Sequence, residues 1–269
     1  MSTALPPAAR PDPDEDPQPL AQIEPVRAAV RLPQRAPIVA YALLALTIGV
    51  FLLQLSTENS SLVVANVRCG DLAACYGMKI NNLILAGQWW RLITPVLLHA
   101  SLLHIGFNMY ALYILGPELE RHFGHLPFLL LYLLGGFSGI VLSFLLTASP
   151  SLGASTAIFG LLGAQGVFVY RNQKLFGRRA QAMLRSILNI AVINLLIGLS
   201  PGIDNWGHVG GLLGGSLFAW LAAPVYALEG EEGTFHLVNR TGSEKTLFGT
   251  LVVAFLFGAL VILKFTGLL

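Results

Sequence analysis

Charge is what this chain has least of: only 11% of its 269 residues are Asp, Glu, Lys or Arg. Soluble domains carry about 25%, so the shortfall, with 55% hydrophobic residues, sets the chain in the membrane class. The net charge of +2 is small and scattered, which argues against a nucleic-acid partner. The basic residues cluster instead beside apolar segments. Cysteine is almost absent. Cys69 and Cys75 are too far apart for a C-x-x-C metal or redox pair, and no nearby His completes a zinc set. In an oxidising compartment the two would form a small disulfide; otherwise they are two thiols in a loop. H-E-x-x-H is missing, and no metal or organic cofactor is implied.

What the chain has in abundance is long apolar runs. Residues 1–36 precede them as an acidic, proline-rich stretch without hydrophobic periodicity, which reads as a disordered tail. Seven segments then approach the ~20 residues that span a bilayer as a helix. They run from Ala36 to about Leu55, roughly Pro95 to Gly116, two within Leu126 to Tyr170, then about Ser186 to Leu199, Asn205 to Tyr226 and Leu247 to Leu263. The stretch Leu126–Tyr170 holds no charged side chain or His, and Ser149-Pro150-Ser151-Leu152-Gly153 breaks it in two. The expected fold is all-α and polytopic: a six-span core over 37–226, a polar linker over 227–246, and a seventh span in 247–269.

Lys and Arg in short flanks set orientation. Arg27, Arg31 and Arg35 precede the first span, and Arg171, Lys174, Arg178, Arg179 and Arg185 follow the fourth without an acid among them. The third-to-fourth and fifth-to-sixth connections contain neither Lys nor Arg. This places the N-terminus in the cytoplasm, and the second, fourth and sixth spans all run inward from the extracytoplasmic side.

That topology brings four polar groups to one depth: His104 and Asn108 on the second span, Ser155 on the fourth, His208 on the sixth. A serine becomes a nucleophile when a neighbouring base takes its proton, and histidine suits that task near neutrality. His104 and Asn108, four apart, share a helix face. With the Ser155 amide, free at a helix N-terminus, they can donate to an oxyanion. Small residues recur on the fourth span (Gly153, Ala157, Gly160, Ala164) and the sixth (Gly207, Gly211, Gly215), which allows close backbone approach. Phe159, one turn below Ser155, is placed to lie under the imidazole. Asp204, four before His208, falls in a short outside loop and reads as solvated rather than as a third triad member. The serine lacks the second glycine of a nucleophile elbow, and a transporter's repeats and midplane charges are missing.

With these residues in place, the chain resembles the rhomboid family of intramembrane serine proteases. The resemblance rests on His99-Ala100-Ser101-Leu102-Leu103-His104-Ile105-Gly106-Phe107-Asn108, on Gly153-Ala154-Ser155 and Ala157-Ile158-Phe159-Gly160, and on Gly207-His208 with Gly211 and Gly215. Trp90-Arg91, and Gly116 with Glu120-Arg121 and Gly124, are similar to further family positions. The resemblance implies a six-span core in which Ser155 is nucleophile and His208 general base. His104, Asn108 and the Ser155 amide would form the oxyanion hole, and Trp90, Arg91 and Glu120 would be structural. It also implies transmembrane protein substrates, and a first loop seated partly in the outer leaflet with Trp89 and Trp90 at the interface. One position departs: Thr156 stands where the family usually has glycine. It points to the alternative, a catalytically weak or inactive rhomboid-like protein that binds membrane clients.

Overall fold

In the computed structural model the described residues are 36–59, 61–230 and 236–269; the acidic, proline-rich stretch lies outside them, apart from residue 36. The apolar runs fold as helices because, away from water, only a helix satisfies every backbone polar group within one segment. The first, α1 (Ile38–Ser56), has no side-chain cap of its own. Its N-terminal donors are met by Glu120, a fully buried carboxylate that accepts from Val39 N–H at 2.9 Å and Ala40 N–H at 2.7 Å. His125 Nδ1 lies 2.6 Å from the same carboxylate.

The long connection that follows is ordered. It comprises a short antiparallel pair, β1 (Val63–Val64) with β2 (Val67–Arg68), then α2 (Leu72–Gly77) and α3 (Asn81–Leu85). Two 3₁₀ turns, Trp89–Leu92 and Thr94–Leu97, complete it. Cys69 and Cys75 are joined by a disulfide across the head of α2, with Cα atoms 4.9 Å apart. Arg91, 2% exposed, knots the connection by donating to Gln88 Oε1, Met78 O and Cys75 O, each at 2.7 Å. Trp90 Nε1 donates to Tyr76 O at 2.8 Å, while its ring and those of Trp89 and Tyr76 stay exposed.

The second long helix, α4 (Leu102–Phe123), differs from the expected bounds at both ends. Pro95 belongs to a 3₁₀ turn, and the helix starts only where Ser101 Oγ caps it by accepting from His104 N–H at 3.2 Å. It runs past Gly116 to Gly124, where φ is +86°, because Glu120 has partners that make its burial tolerable. Then come α5 (His125–Leu146), α6 (Ser155–Arg171), the short α7 (Gln173–Phe176), α8 (Arg179–Ile197) and α9 (Asn205–Ala222). Helix α8 begins about two turns ahead of the apolar run, taking Arg179 and Arg185 into its first turns.

The stretch expected as a polar linker contains an antiparallel pair, β3 (Tyr226–Glu229) with β4 (His236–Asn239), closed by an Arg240–Glu229 ion pair. Helix α10 (Ser243–Phe265) ends the fold. Its stripe Gly249, Val253, Phe257 and Val261 is buried, and at its far end Phe265 stacks on Trp89 at 4.4 Å. Helices α1, α5, α8 and α10 are long and apolar enough to cross a membrane.

The centre of the bundle is α6, where every residue from Thr156 to Ala164 is buried. Its neighbours approach through glycine. A Cβ on Gly160 would lie 2.9 Å from Gly135 Cα of α5, and one on Gly215 of α9 would overlap the Gly160 backbone. Helices α5 and α9 meet in the same way, through Gly139 and Gly210. In a bilayer, where lipid tails are as apolar as leucine, such contact is what drives helices together.

Candidate active site

Ser155 is the first residue of α6, and its position depends on the segment before it. Gly153 N–H donates to Pro95 O at 2.9 Å, and Ala154 N–H approaches His99 Nε2 at 3.4 Å. Gly153 has φ of +133°, and a Cβ there would sit 2.7 Å from His104 Cε1 and 2.8 Å from His104 Nε2. Only glycine serves on both counts.

His208 Nε2 lies 2.9 Å from Ser155 Oγ. The close α6–α9 crossing makes this contact: a Cβ on Gly211, one turn beyond His208, would overlap the carbonyl of Thr156. The imidazole lies flat on Phe159, with ring centroids 4.3 Å apart and 8° between planes. His208 is 8% exposed and Ser155 is half-buried, so the pair sits below the end of the bundle without being sealed in. His208 Nδ1 has no hydrogen-bond partner among the described residues. Asp204, read from sequence as solvated, is in fact the half-buried N-cap of α9. Its Oδ1 accepts from Gly207 N–H at 3.0 Å and caps the helix, and among the described residues no hydrogen bond joins either carboxylate oxygen to the imidazole.

His104 and Asn108 face the same place from α4. Ala100 N–H points at His104 Nδ1 at 3.4 Å, which leaves the ring proton on Nε2, the atom beside Gly153. Asn108 Nδ2 donates one proton to His104 O at 3.0 Å and has a second to give. The Ser155 amide, in the first turn of α6, has no intrahelical acceptor. His104 Nε2 and Ser155 Oγ border one spot, 2.8 and 3.7 Å from where a Gly153 Cβ would be. Thr156 is 3% exposed and turned away from it: its Cβ and Cγ2 lie 2.6 and 2.9 Å from where a Gly139 Cβ would be, and Cγ2 lies 3.0 Å from that of Gly207. The threonine fills a notch at the α5–α6–α9 junction.

Several residues that build this site had drawn no attention in the sequence. Gln54 of α1, 4% exposed, accepts from His99 N–H at 2.9 Å and donates to Asp71 Oδ2 at 2.9 Å and His99 O at 3.2 Å. Lys79 and Asn81 hold the far end of α5. The signal for Lys79 was a lone lysine among apolar neighbours, and for α5 the small-residue run Gly135-Gly136-Phe137-Ser138-Gly139. No group of three or more His, Cys, Asp or Glu is placed to hold a metal ion among the described residues.

Comparison with known proteins agrees in kind. The rhomboid domain family matches residues 86–225. Among curated relatives, the rhomboid protease GluP of Bacillus subtilis (strain 168) is 44% identical over 146 residues, 54% of this chain and 28% of that protein. The chloroplastic RHOMBOID-like protein 9 of Arabidopsis thaliana is 36% identical over 159 residues, 59% of this chain and 37% of its own length. RHOMBOID-like protein 1 of the same plant is 37% identical over 186 residues, 68% of this chain and 47% of its own length. The chain thus spans less than half the length of these relatives. The matched region contains His104, Asn108, Ser155 and His208 and two of the four apolar helices, α5 and α8, and family and helices together make this an integral membrane protein. This chain belongs to the rhomboid family.

Proposed function

We propose that the protein is an intramembrane serine endopeptidase that cleaves transmembrane proteins through a Ser155–His208 dyad. The observation that carries this reading is the 2.9 Å contact between Ser155 Oγ and His208 Nε2, with the ring held by Phe159. His208 Nε2 takes the hydroxyl proton as Oγ bonds to the scissile carbonyl carbon. The carbonyl oxygen becomes an oxyanion that the Ser155 amide, His104 Nε2–H and Asn108 Nδ2–H stabilise as hydrogen-bond donors. The imidazolium then protonates the leaving amine as the C–N bond breaks, and water, activated by the same imidazole, hydrolyses the acyl-enzyme. The relation to a named protease, GluP, supports the class of reaction.

The flanking Lys and Arg support a site toward the extracytoplasmic face and an N-terminus in the cytoplasm. A substrate helix hides its backbone in its own hydrogen bonds. Substrates are therefore transmembrane segments with small or helix-weakening residues near the cut. The client-binding alternative rests on Thr156, whose Cβ and Cγ2 pack toward Gly139 and Gly207.

The test is cleavage of a reporter transmembrane protein by purified chain in liposomes. Ser155→Ala and His208→Ala are each expected to lower kcat by at least ~10³-fold, because members of such a pair act as a unit. Appreciable turnover by Ser155→Ala would remove the assignment.

A further inference from the structure

A lysine is fully buried where the mechanism makes no use of it. Lys79, in the connection between α2 and α3, has no exposed surface. Its Nζ donates to Thr147 O at 2.8 Å, Ser149 O at 2.8 Å and Ser143 O at 3.3 Å. An ammonium has three protons, and all three are used. Two of the acceptors, Ser143 O and Thr147 O, lie in or just beyond the last turn of α5, where the helix dipole favours a cation; Ser143 O also accepts from Thr147 N–H at 2.9 Å. Asn81 Nδ2 adds bonds to Phe144 O at 3.1 Å and Thr147 O at 3.0 Å. The Lys79 backbone also pairs with Ser151, N–H to O at 2.8 Å and O to N–H at 3.2 Å.

All of these bonds converge on residues 143–151, which lead into the nucleophile. Two residues further on, Gly153 and Ala154 are tied to Pro95 and His99, and Ser155 follows. We propose that Lys79 is a positioning residue: its ammonium holds the α5–α6 segment so that the Ser155 hydroxyl and amide meet His208 and the oxyanion in register. This rests on the protease reading of the site. The charge on Lys79 is what a neutral side chain of similar length would not supply, since three carbonyl oxygens converge on one atom.

The ionisable group facing Lys79 is Asp204 at the head of α9. Helix α5 and the segment after it present only carbonyls and hydroxyls. On the connection itself the nearest cation is Arg91, tied to Met78 O. Burial lowers the Lys79 pKa from 10.5 to about 8, an effect that Asp204 opposes. Deprotonation leaves two donors for three carbonyls. Protection of the segment is therefore expected to fall as pH rises from 7 to 9. Global stability should move the other way: between about pH 8 and 10.5 the unfolded chain holds this proton and the folded chain does not, so stability rises with pH. Opposite signs separate positioning from general loosening.

The experiment uses the full chain in lipid nanodiscs, as wild type, Lys79→Met, Lys79→Arg and Ser155→Ala. Amide exchange of peptides covering 147–154 is measured beside the rate of Ser155 modification by a fluorophosphonate, with intrinsic exchange subtracted at each pH. Expected in Lys79→Met are loss of protection confined to 147–154 and modification slowed about 10- to 100-fold, the cost of misplacing a reacting group by about 1 Å. Lys79→Arg should retain protection above pH 8. Should Lys79→Met not fold, the wild-type pH series alone decides. Unchanged exchange in the variant, or protection flat from pH 7 to 9, overturns the proposal whatever the activity does. Exchange that depends on Lys79 in a chain whose Ser155 neither reacts nor cleaves would instead overturn the protease reading and leave the positioning role standing.

Discussion

Replacing Thr156 with glycine, the residue rhomboids usually carry there, is expected to weaken the protein and not to speed it. The side chain is 3% exposed, and its Cβ and Cγ2 occupy the space that the missing side chains of Gly139 and Gly207 leave open. Thr156→Gly empties that notch between three helices. The lost packing is that of about two buried carbons, ~1–1.5 kcal/mol by the scale for buried methyl groups and their cavities. Glycine's added backbone freedom in a helix costs about 0.5–1 kcal/mol more. The hydroxyl works in the other direction, since Thr156 Oγ1 is buried without a partner among the described residues. The net expectation is a loss of roughly 1–2 kcal/mol. Thr156→Val keeps the shape and removes the unpaired hydroxyl, so it should be neutral or stabilising by up to about 1 kcal/mol. The assay is reversible unfolding in mixed micelles, run beside reporter cleavage in liposomes. Cleavage in Thr156→Val should match the wild type within a factor of about three. A tenfold faster Thr156→Gly with undiminished stability would refute the reasoning, because the threonine would then be an obstruction and not a filler.

Gly153→Ala should keep the bundle folded yet lower kcat by at least tenfold: φ of +133° and a Cβ 2.8 Å from His104 Nε2 force either the ring or the nucleophile segment to move, and such strain costs on the order of 1–3 kcal/mol. Single-turnover cleavage reads this directly, and a wild-type rate would dismiss the steric argument. Cys69 and Cys75 should resist alkylation until a reductant is added, as mass spectrometry would register. Reduction should cost about 2 kcal/mol for so short a loop. Labelling of both thiols in native, unreduced protein would count against the bond.

The separation of the site into three helices was legible in the sequence because each element carries its own record. Apolar runs of bilayer length identified the spans, and clustered Lys and Arg carried the expectation of their direction. Two polar groups that are costly in a membrane, Ser155 and His208, then had to be explained by each other. Glycines at four-residue spacing on the fourth and sixth spans indicated that the two helices could approach that closely. Helix ends were less legible. The second span starts at Leu102 and not near Pro95 because a hydroxyl, Ser101 Oγ, caps it there. A cap is a local hydrogen bond that hydropathy does not register.

Tertiary structure decided what no linear pattern records: where a side chain points and which distant backbone it meets. Thr156 sits beside Ser155 in sequence, but α6 turns it toward Gly139 and Gly207, residues 17 and 51 positions away. Asp204 is close enough to His208 along the chain to suggest a triad, yet the start of α9 claims it as a cap. Lys79 and Gln54 are single polar residues whose side-chain partners lie 17 to 70 positions away. Composition and periodicity are properties of neighbours in the chain, and they determined a polytopic helical protein with a serine and a histidine at one depth. The contacts that hold that pair in register are between residues far apart in the chain, so they exist only once the helices have packed.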